Sequence, residues 1–226
     1  CLRADVSATV RGRALVDTPA FYGTLGGDLA LALRQTVGAR AAWGVTVRAL
    51  DVAFVQNAVW KLVEPDYGPV LVHGALATDA TLAGRPAKLA LFAEAELPLS
   101  RGAITPSSGA AQLAALATWR VRPRVHLHGR VAALGWYGHD VTGTTTRAAA
   151  LASVDATWRA ACGVAIAAGV DAQAGWYEDG LDHLAVRVGA QLRVASRWRL
   201  GLAVGAPLVG RERQDLALAL GVKRDL

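Results

Sequence analysis

The sequence predicts an all-β fold: a single closed, up-and-down antiparallel transmembrane β-barrel of about twelve strands, one domain over residues 1–226. Three observations predict it. Apolar and polar or small residues alternate with period two along a dozen segments, because successive side chains of a strand point to opposite faces. The links between these segments alternate between short and long. Apolar residues make up 53% of the chain and mean hydropathy is +0.30, yet there is no run of about 18 apolar residues from which a membrane helix could be built.

Taken in order, residues 4–16 set Val6, Ala8, Val10, Ala14 and Val16 against Asp5, Ser7, Thr9, Arg11 and Arg13. Residues 24–35 set Leu25, Leu29, Leu31 and Leu33 against Asp28 and Arg34; residues 39–54 set Trp43, Val45 and Val47 against Arg40, Thr46 and Arg48. Residues 68–80 oppose Val70, Val72 and Leu76 to His73 and Asp79, and residues 87–98 oppose Leu89, Leu91 and Leu97 to Lys88, Glu94 and Glu96. Residues 112–122 carry Leu113, Trp119 and Val121 against Gln112, Thr118, Arg120 and Arg122. Residues 124–136 carry Val125, Leu127 and Val131 against Arg124, His126, His128 and Arg130. In 147–159, Val154 and Trp158 alternate with Ser153, Asp155 and Arg159; in 164–176, Val164, Ile166, Val170 and Trp176 alternate with Asp171 and Gln173. The last three segments are 184–194 (Leu184, Val186, Val188, Leu192 and Val194 against Arg187, Gln191 and Arg193), 198–208 (Trp198, Leu200, Leu202 and Val204 against Arg199) and 212–226 (Leu216, Leu218, Leu220, Val222 and Leu226 against Asp215 and Lys223).

Short links fall near 36–38, 83–86, 123, 160–163 and 195–197, with Gly or Pro in most of them as tight turns require. Longer links fall at 17–23, 55–67, 99–111, 137–146, 177–183 and 209–211. Closing such a meander removes both sheet edges. A twelve-stranded barrel is too wide for Val and Leu to fill its lumen. The apolar face must therefore point outward into lipid, where a closed barrel pairs every backbone group internally. Trp43, Trp119, Trp158 and Trp198 lie near short turns, whereas Tyr137, Trp176 and Tyr177 lie near long links. Two aromatic levels suit two membrane interfaces. A soluble β-sandwich would need the same alternation, but it explains neither the link lengths nor the two Trp levels.

The chain end L-A-L-A-L-G-V-K-R-D-L resembles the C-terminal signal of bacterial outer-membrane barrels, with Leu226 in place of the usual aromatic residue and Arg224 interrupting the apolar series. The whole pattern is similar to the porin-like outer-membrane β-barrel superfamily, without a match to one family. That resemblance implies short periplasmic turns, longer outer loops and, for an even strand number, both termini in the periplasm. It implies export through the periplasm to the outer membrane of a Gram-negative cell. The implied surroundings are outer-membrane lipid and lipopolysaccharide, with barrel-assembly machinery engaging the strand at 212–226. The chain begins with Cys1 and contains no Met; Cys1 is a candidate lipidation site if an export signal has been removed, and a Cys1–Cys162 disulfide is the alternative.

Charge gives the first functional expectation. The net charge is +6, but the arginines are spread along the chain without a basic tail, so nucleic acid is not the expected partner. Alternation places Arg120, Arg122, Arg124, His126, His128, Arg130, Glu94, Glu96, Asp155, Arg187 and Arg193 on the lumen face, with Arg11, Arg34, Arg40, Arg48 and Arg199 beside them. A basic lining attracts anions, which points to a narrow channel for small anionic or polar solutes. A non-conducting barrel that anchors a motility or secretion complex is the second reading, with 55–67 and 99–111 as docking links and the lumen closed by a ladder of Glu94 and Glu96 against Arg120 and Arg122. An outer-membrane lipid-modifying enzyme is the third.

The H-L-H at 126–128 has a metal-like spacing, with Asp155 as third ligand, but the flanking arginines would repel a cation. No metal, cofactor or catalytic residue is expected. Ser153, His126, His128 and Asp155 have lumen parity, whereas the twelve-stranded outer-membrane phospholipases carry Ser and His on the lipid face. H-D at 139–140 and D-H at 182–183 superficially resemble omptin-type sites and are expected to be solvated loop residues.

Overall fold

The computed structural model describes residues 2–15, 22–56, 61–66, 70–97, 107–140, 143–175, 180–210 and 216–225. They form β1 (Leu2–Leu15), β2 (Tyr22–Val37), β3 (Ala41–Gln56), β4 (Lys61–Asp66), β5 (Val70–Leu82), β6 (Arg85–Leu97) and β7 (Ser107–Arg122). They continue with β8 (Val125–Asp140), β9 (Gly143–Ala161), β10 (Val164–Ala174), β11 (Leu181–Arg193), β12 (Trp198–Gly210) and β13 (Leu216–Asp225). All pairings are antiparallel, each strand pairs with its sequence neighbour except that β4 and β5 both pair with β3, and β13 pairs with β1 from Asp5↔Asp225 to Ala14↔Leu216. The sheet is closed.

The thirteen segments make twelve staves. Asp66 of β4 sits opposite Asp51, and Val70 of β5 sits opposite Val47, both on β3. The two segments therefore follow one another along the same stave. Two expected long links change accordingly. The 55–67 link contains the strand Lys61–Asp66. The 137–146 link is almost entirely strand, because β8 and β9 stay registered to Asp140↔Gly143 and leave only 141–142 between them. The polar Gly, His and Thr residues there suggested a loop, but ladder hydrogen bonds to a neighbouring strand compensate for weak local preference.

One end of the barrel carries the turns at 38–40, 83–84, 123–124, 162–163 and 194–197, together with the start of β1 and the end of β13. The other end carries the remaining links. At the first end, Ala83 (φ 48°) and Gly84 (φ 72°) both have positive φ, the requirement of a two-residue type I′ hairpin.

Burial is inverted relative to a soluble domain. Leu113, Val131 and Val154 are 61%, 64% and 60% exposed, whereas Ala114 and Ala132, one position away, are 1% and 4% exposed. Among the described residues no large side chain is fully buried. The large aliphatic residues form the outer surface, and alanines are the most buried residues of the opposite face. A soluble sandwich would bury Leu and Val between its sheets; this arrangement suits a lipid-facing wall.

Candidate functional site

The lumen face is fixed by parity and register. Its midsection holds an ion pair that spans three strands. His128 of β8 is opposite Asp155 of β9, which is opposite Gly169 of β10, which is opposite Arg187 of β11. The Asp155 carboxylate lies across Gly169 and accepts two hydrogen bonds from Arg187, from Nε at 2.9 Å and from an Nη at 2.6 Å. A side chain on Gly169 would overlap that carboxylate and the Val154 carbonyl. The row continues: Asp171 lies 3.8 Å from Arg187 and 3.3 Å from His183 Nε2. Gln173 donates to Asp182 at 3.5 Å, and Asp182 is only 2% exposed. The D-H pair at 182–183 is thus part of β11 and its polar network, not a solvated loop. His139 and Asp140 likewise belong to β8.

A second polar chain crosses the wall nearby. Gln112 donates to Glu94 at 3.0 Å and accepts from Arg130. Glu94 faces His73 on β5 and Gln112 on β7, and Glu96 faces Leu71 and Ala110. The expected ladder of Glu94 and Glu96 against Arg120 and Arg122 does not form, because antiparallel pairing brings Lys88 to Thr118 and carries Arg120 away from both glutamates. His73 packs against Phe92 with ring centroids 5.9 Å apart and lies over Gly44.

The two histidines at 126 and 128 are stacked, 6.3 Å between centroids. His128 Nδ1 is 3.1 Å from the Thr118 hydroxyl. Asp155, the nearest candidate for a third ligand, is held by Arg187, and among the described residues no three His, Cys, Asp or Glu side chains converge on one point. Ser153 is opposite Arg130 and Asp171. With Asp155 turned to Arg187, Ser153, His126, His128 and Asp155 do not assemble as a nucleophile, base and orienting acid.

Most of the remaining described arginines lie toward the short-turn mouth, whereas Arg147, opposite Trp136, lies near the other end. Arg120 opposes His126, and Arg193 opposes Arg199, all on lumen rows. Arg124 lies in the 123–124 turn and Arg40 in the 38–40 turn, both exposed. A register shift between Arg120 and Arg122 sets Arg122 opposite Val125, taking it off the lumen row. The side chains of Arg11 and Arg48 lie outside the described residues.

On the lipid side, Trp43, Trp158 and Trp198 are 47%, 50% and 42% exposed. Trp119 donates its indole N–H to the Leu82 carbonyl at 3.1 Å. Arg224 stacks on Trp198, its guanidinium 5.3 Å from the ring centroid; this cation–π contact accounts for the charge that interrupts the apolar series of the last strand. Near the other end Tyr137 faces outward across Gly109. Trp176, Tyr177 and Cys1 lie outside the described residues. Cys162 is a free, exposed thiol in the 162–163 turn.

No family model matches the sequence, and no curated protein matches it. Solved structures do. A COG4313 outer membrane channel from Pseudomonas putida F1 matches with a TM-score of 0.79 at 13% identity, over 99% of this chain and 95% of that one. The fold is that of outer-membrane β-barrels. KdgM porin, in complex with disordered oligogalacturonate, matches this barrel with a TM-score of 0.58 at 9% identity, over 97% of this chain and 99% of that one. The translocator domain of the autotransporter NalP from Neisseria meningitidis matches the barrel at 0.54 and 11% identity, over 99% of this chain and 88% of that one.

Several lumen residues escaped the sequence reading. Trp136 and Phe92 share the parity of His126 and Glu94 and face inward, where a lumen is expected to be polar. Parity was the available signal; their apolar character hid it. Next to the first polar chain, part of the lining is made of small residues. Ala165, Ala167, Gly189, Gly201, Ala203 and Gly221 leave a lumen cavity of about 370 Å³. A second cavity of about 340 Å³ lies among Arg34, Thr46, His73, Phe92 and Glu94.

Proposed function

We propose that this chain is an outer-membrane channel that passes small polar solutes and favours anions. The observation that carries the reading is the division of the lumen. Polar and charged side chains project from β5 to β11, and beside them a patch of Ala and Gly on β10 to β13 keeps space open. A barrel meant only as an anchor gains nothing from an unfilled, charged interior. The outer-membrane channel fold supports the same reading.

The barrel would sit in outer-membrane lipid and lipopolysaccharide of a Gram-negative cell after export through the periplasm, with the strand at 212–226 offered to the barrel-assembly machinery. Its short turns would face the periplasm. Single-channel recordings in planar bilayers under a potassium chloride gradient test the function: discrete conductance steps with a reversal potential on the anion side are expected. A protein that folds, shown by heat-modifiable gel migration, yet never conducts, or that prefers cations, would sink the reading.

A further inference from the structure

Lumen charge is not uniform along the barrel axis. The carboxylates Glu94, Asp155 and Asp171 lie away from the short turns; Arg187 pairs with the two aspartates, and Gln112 links Glu94 to Arg130. The short-turn mouth is different. Arg120 and Arg159 precede the turns at 123–124 and 162–163, Arg193 and Arg199 flank the turn at 194–197, and Arg34 and Lys88 lie four residues from theirs. Lys223 on β13 completes the circuit opposite Arg199. Among the described residues, Asp79 on these rows is paired with Lys88 at 3.7 Å, and Asp5 and Asp225 hold opposed register positions at the β1–β13 seam.

The order within this mouth is informative. Arg193 opposes Arg199, and Arg199 opposes Lys223, so three consecutive strands present cations side by side. Directly opposed residues in an antiparallel pair are about 5 Å apart, and like charges there are unfavourable. The separation is also inside a Debye length of about 8 Å at physiological salt, so the fields add. His126, beside Arg120, faces the same space.

We propose that the short-turn mouth is a binding vestibule for polyvalent anions of the phosphate or polycarboxylate type, whose charge is shared by guanidinium groups from separate strands. The inference rests on the channel reading for its role in transport, but not for binding itself. Arginine suits it, since its planar fork grips oxyanions in two-point contacts. The deep lumen, with carboxylates among its arginines, would let a captured anion move on instead of trapping it, as conduction requires.

The probe is inorganic tripolyphosphate, applied to the full chain folded into planar bilayers and, separately, into detergent. Wild type should be blocked at concentrations at least tenfold lower from the short-turn side than from the other. The Arg120→Gln/Arg159→Gln/Arg193→Gln triple variant should lose at least tenfold of that sensitivity. Arg224→Gln, which removes a charge from the outward face at the same end, should lose none. Conductance with equal block from both sides, or block unchanged in the triple variant, overturns the vestibule and leaves the channel standing. If the folded protein does not conduct, the channel reading fails, and calorimetric titration of tripolyphosphate in detergent decides the vestibule: binding lost in the triple variant upholds it, and no wild-type binding overturns it.

Discussion

At the scale of single residues, Gly169 is the position with the most at stake. Alanine normally strengthens a strand relative to glycine, so a generic expectation for Gly169→Ala is a small gain. Here the new methyl would occupy the place of the Asp155 carboxylate on its way to Arg187. The overlap should cost about 1–3 kcal/mol, the range of overpacked sites. Asp155→Asn should cost less, because Asp171 remains near Arg187 at 3.8 Å and the pair is partly solvated. Urea unfolding in detergent micelles measures both; a Gly169→Ala barrel as stable as wild type would mean the carboxylate does not lie across the glycine. Alternation alone sets Asp155 and Arg187 on the polar face of their strands. It does not show their partnership, because that skips a strand and depends on the register of β9 on β10 and of β10 on β11.

At the scale of elements, the tight turn at 83–84 carries a local conflict. Ala83 holds a left-handed conformation at φ 48°, which costs an L-residue with a Cβ roughly 1–2 kcal/mol. Its partner Gly84 is suited to the turn; Ala83 is not. Ala83→Asn should therefore stabilise the barrel by about 1 kcal/mol, since Asn tolerates this region and is favoured at the first central position of a type I′ turn. The gain would appear as a higher urea midpoint with an unchanged slope; a lower midpoint would show that the turn has another geometry. Turn positions of this kind are well marked in the sequence by Gly84 and Gly163, and all twelve staves follow from period-two alternation. What alternation could not show was how far strands run past the last large apolar residue. Thr144, Thr145 and Thr146 continue β9 opposite His139, Gly138 and Tyr137, and β-branched threonine fits a pleated ladder as well as valine does. Lys61–Asp66 was hidden for the opposite reason: Pro65, which usually ends a strand, sits within it.

At the scale of the whole molecule, the inverted distribution of apolar surface sets the environment, and the asymmetric ends set the direction. Lipid-facing Leu and Val leave the barrel no stable aqueous state, while the grouping of both terminal strands with the short turns gives its ends different chemistry. If the short turns are periplasmic, the cationic mouth faces the periplasm and meets solutes there; if they are outside, it samples the medium. Cys162 reports which. It is an exposed thiol in the 162–163 turn, so in a Cys1→Ser background it is the one remaining cysteine of the chain. A polymer-linked maleimide too large to pass porins should leave Cys162 unmodified in intact cells and modify it after the outer membrane is permeabilised. Thr146→Cys in a background lacking both native cysteines places a thiol at an exposed position near the opposite end and should show the reverse pattern, with labelling in intact cells. Labelling of Cys162 in intact cells together with protection of the residue-146 thiol would invert the barrel, and with it the side from which the cationic mouth captures its anions.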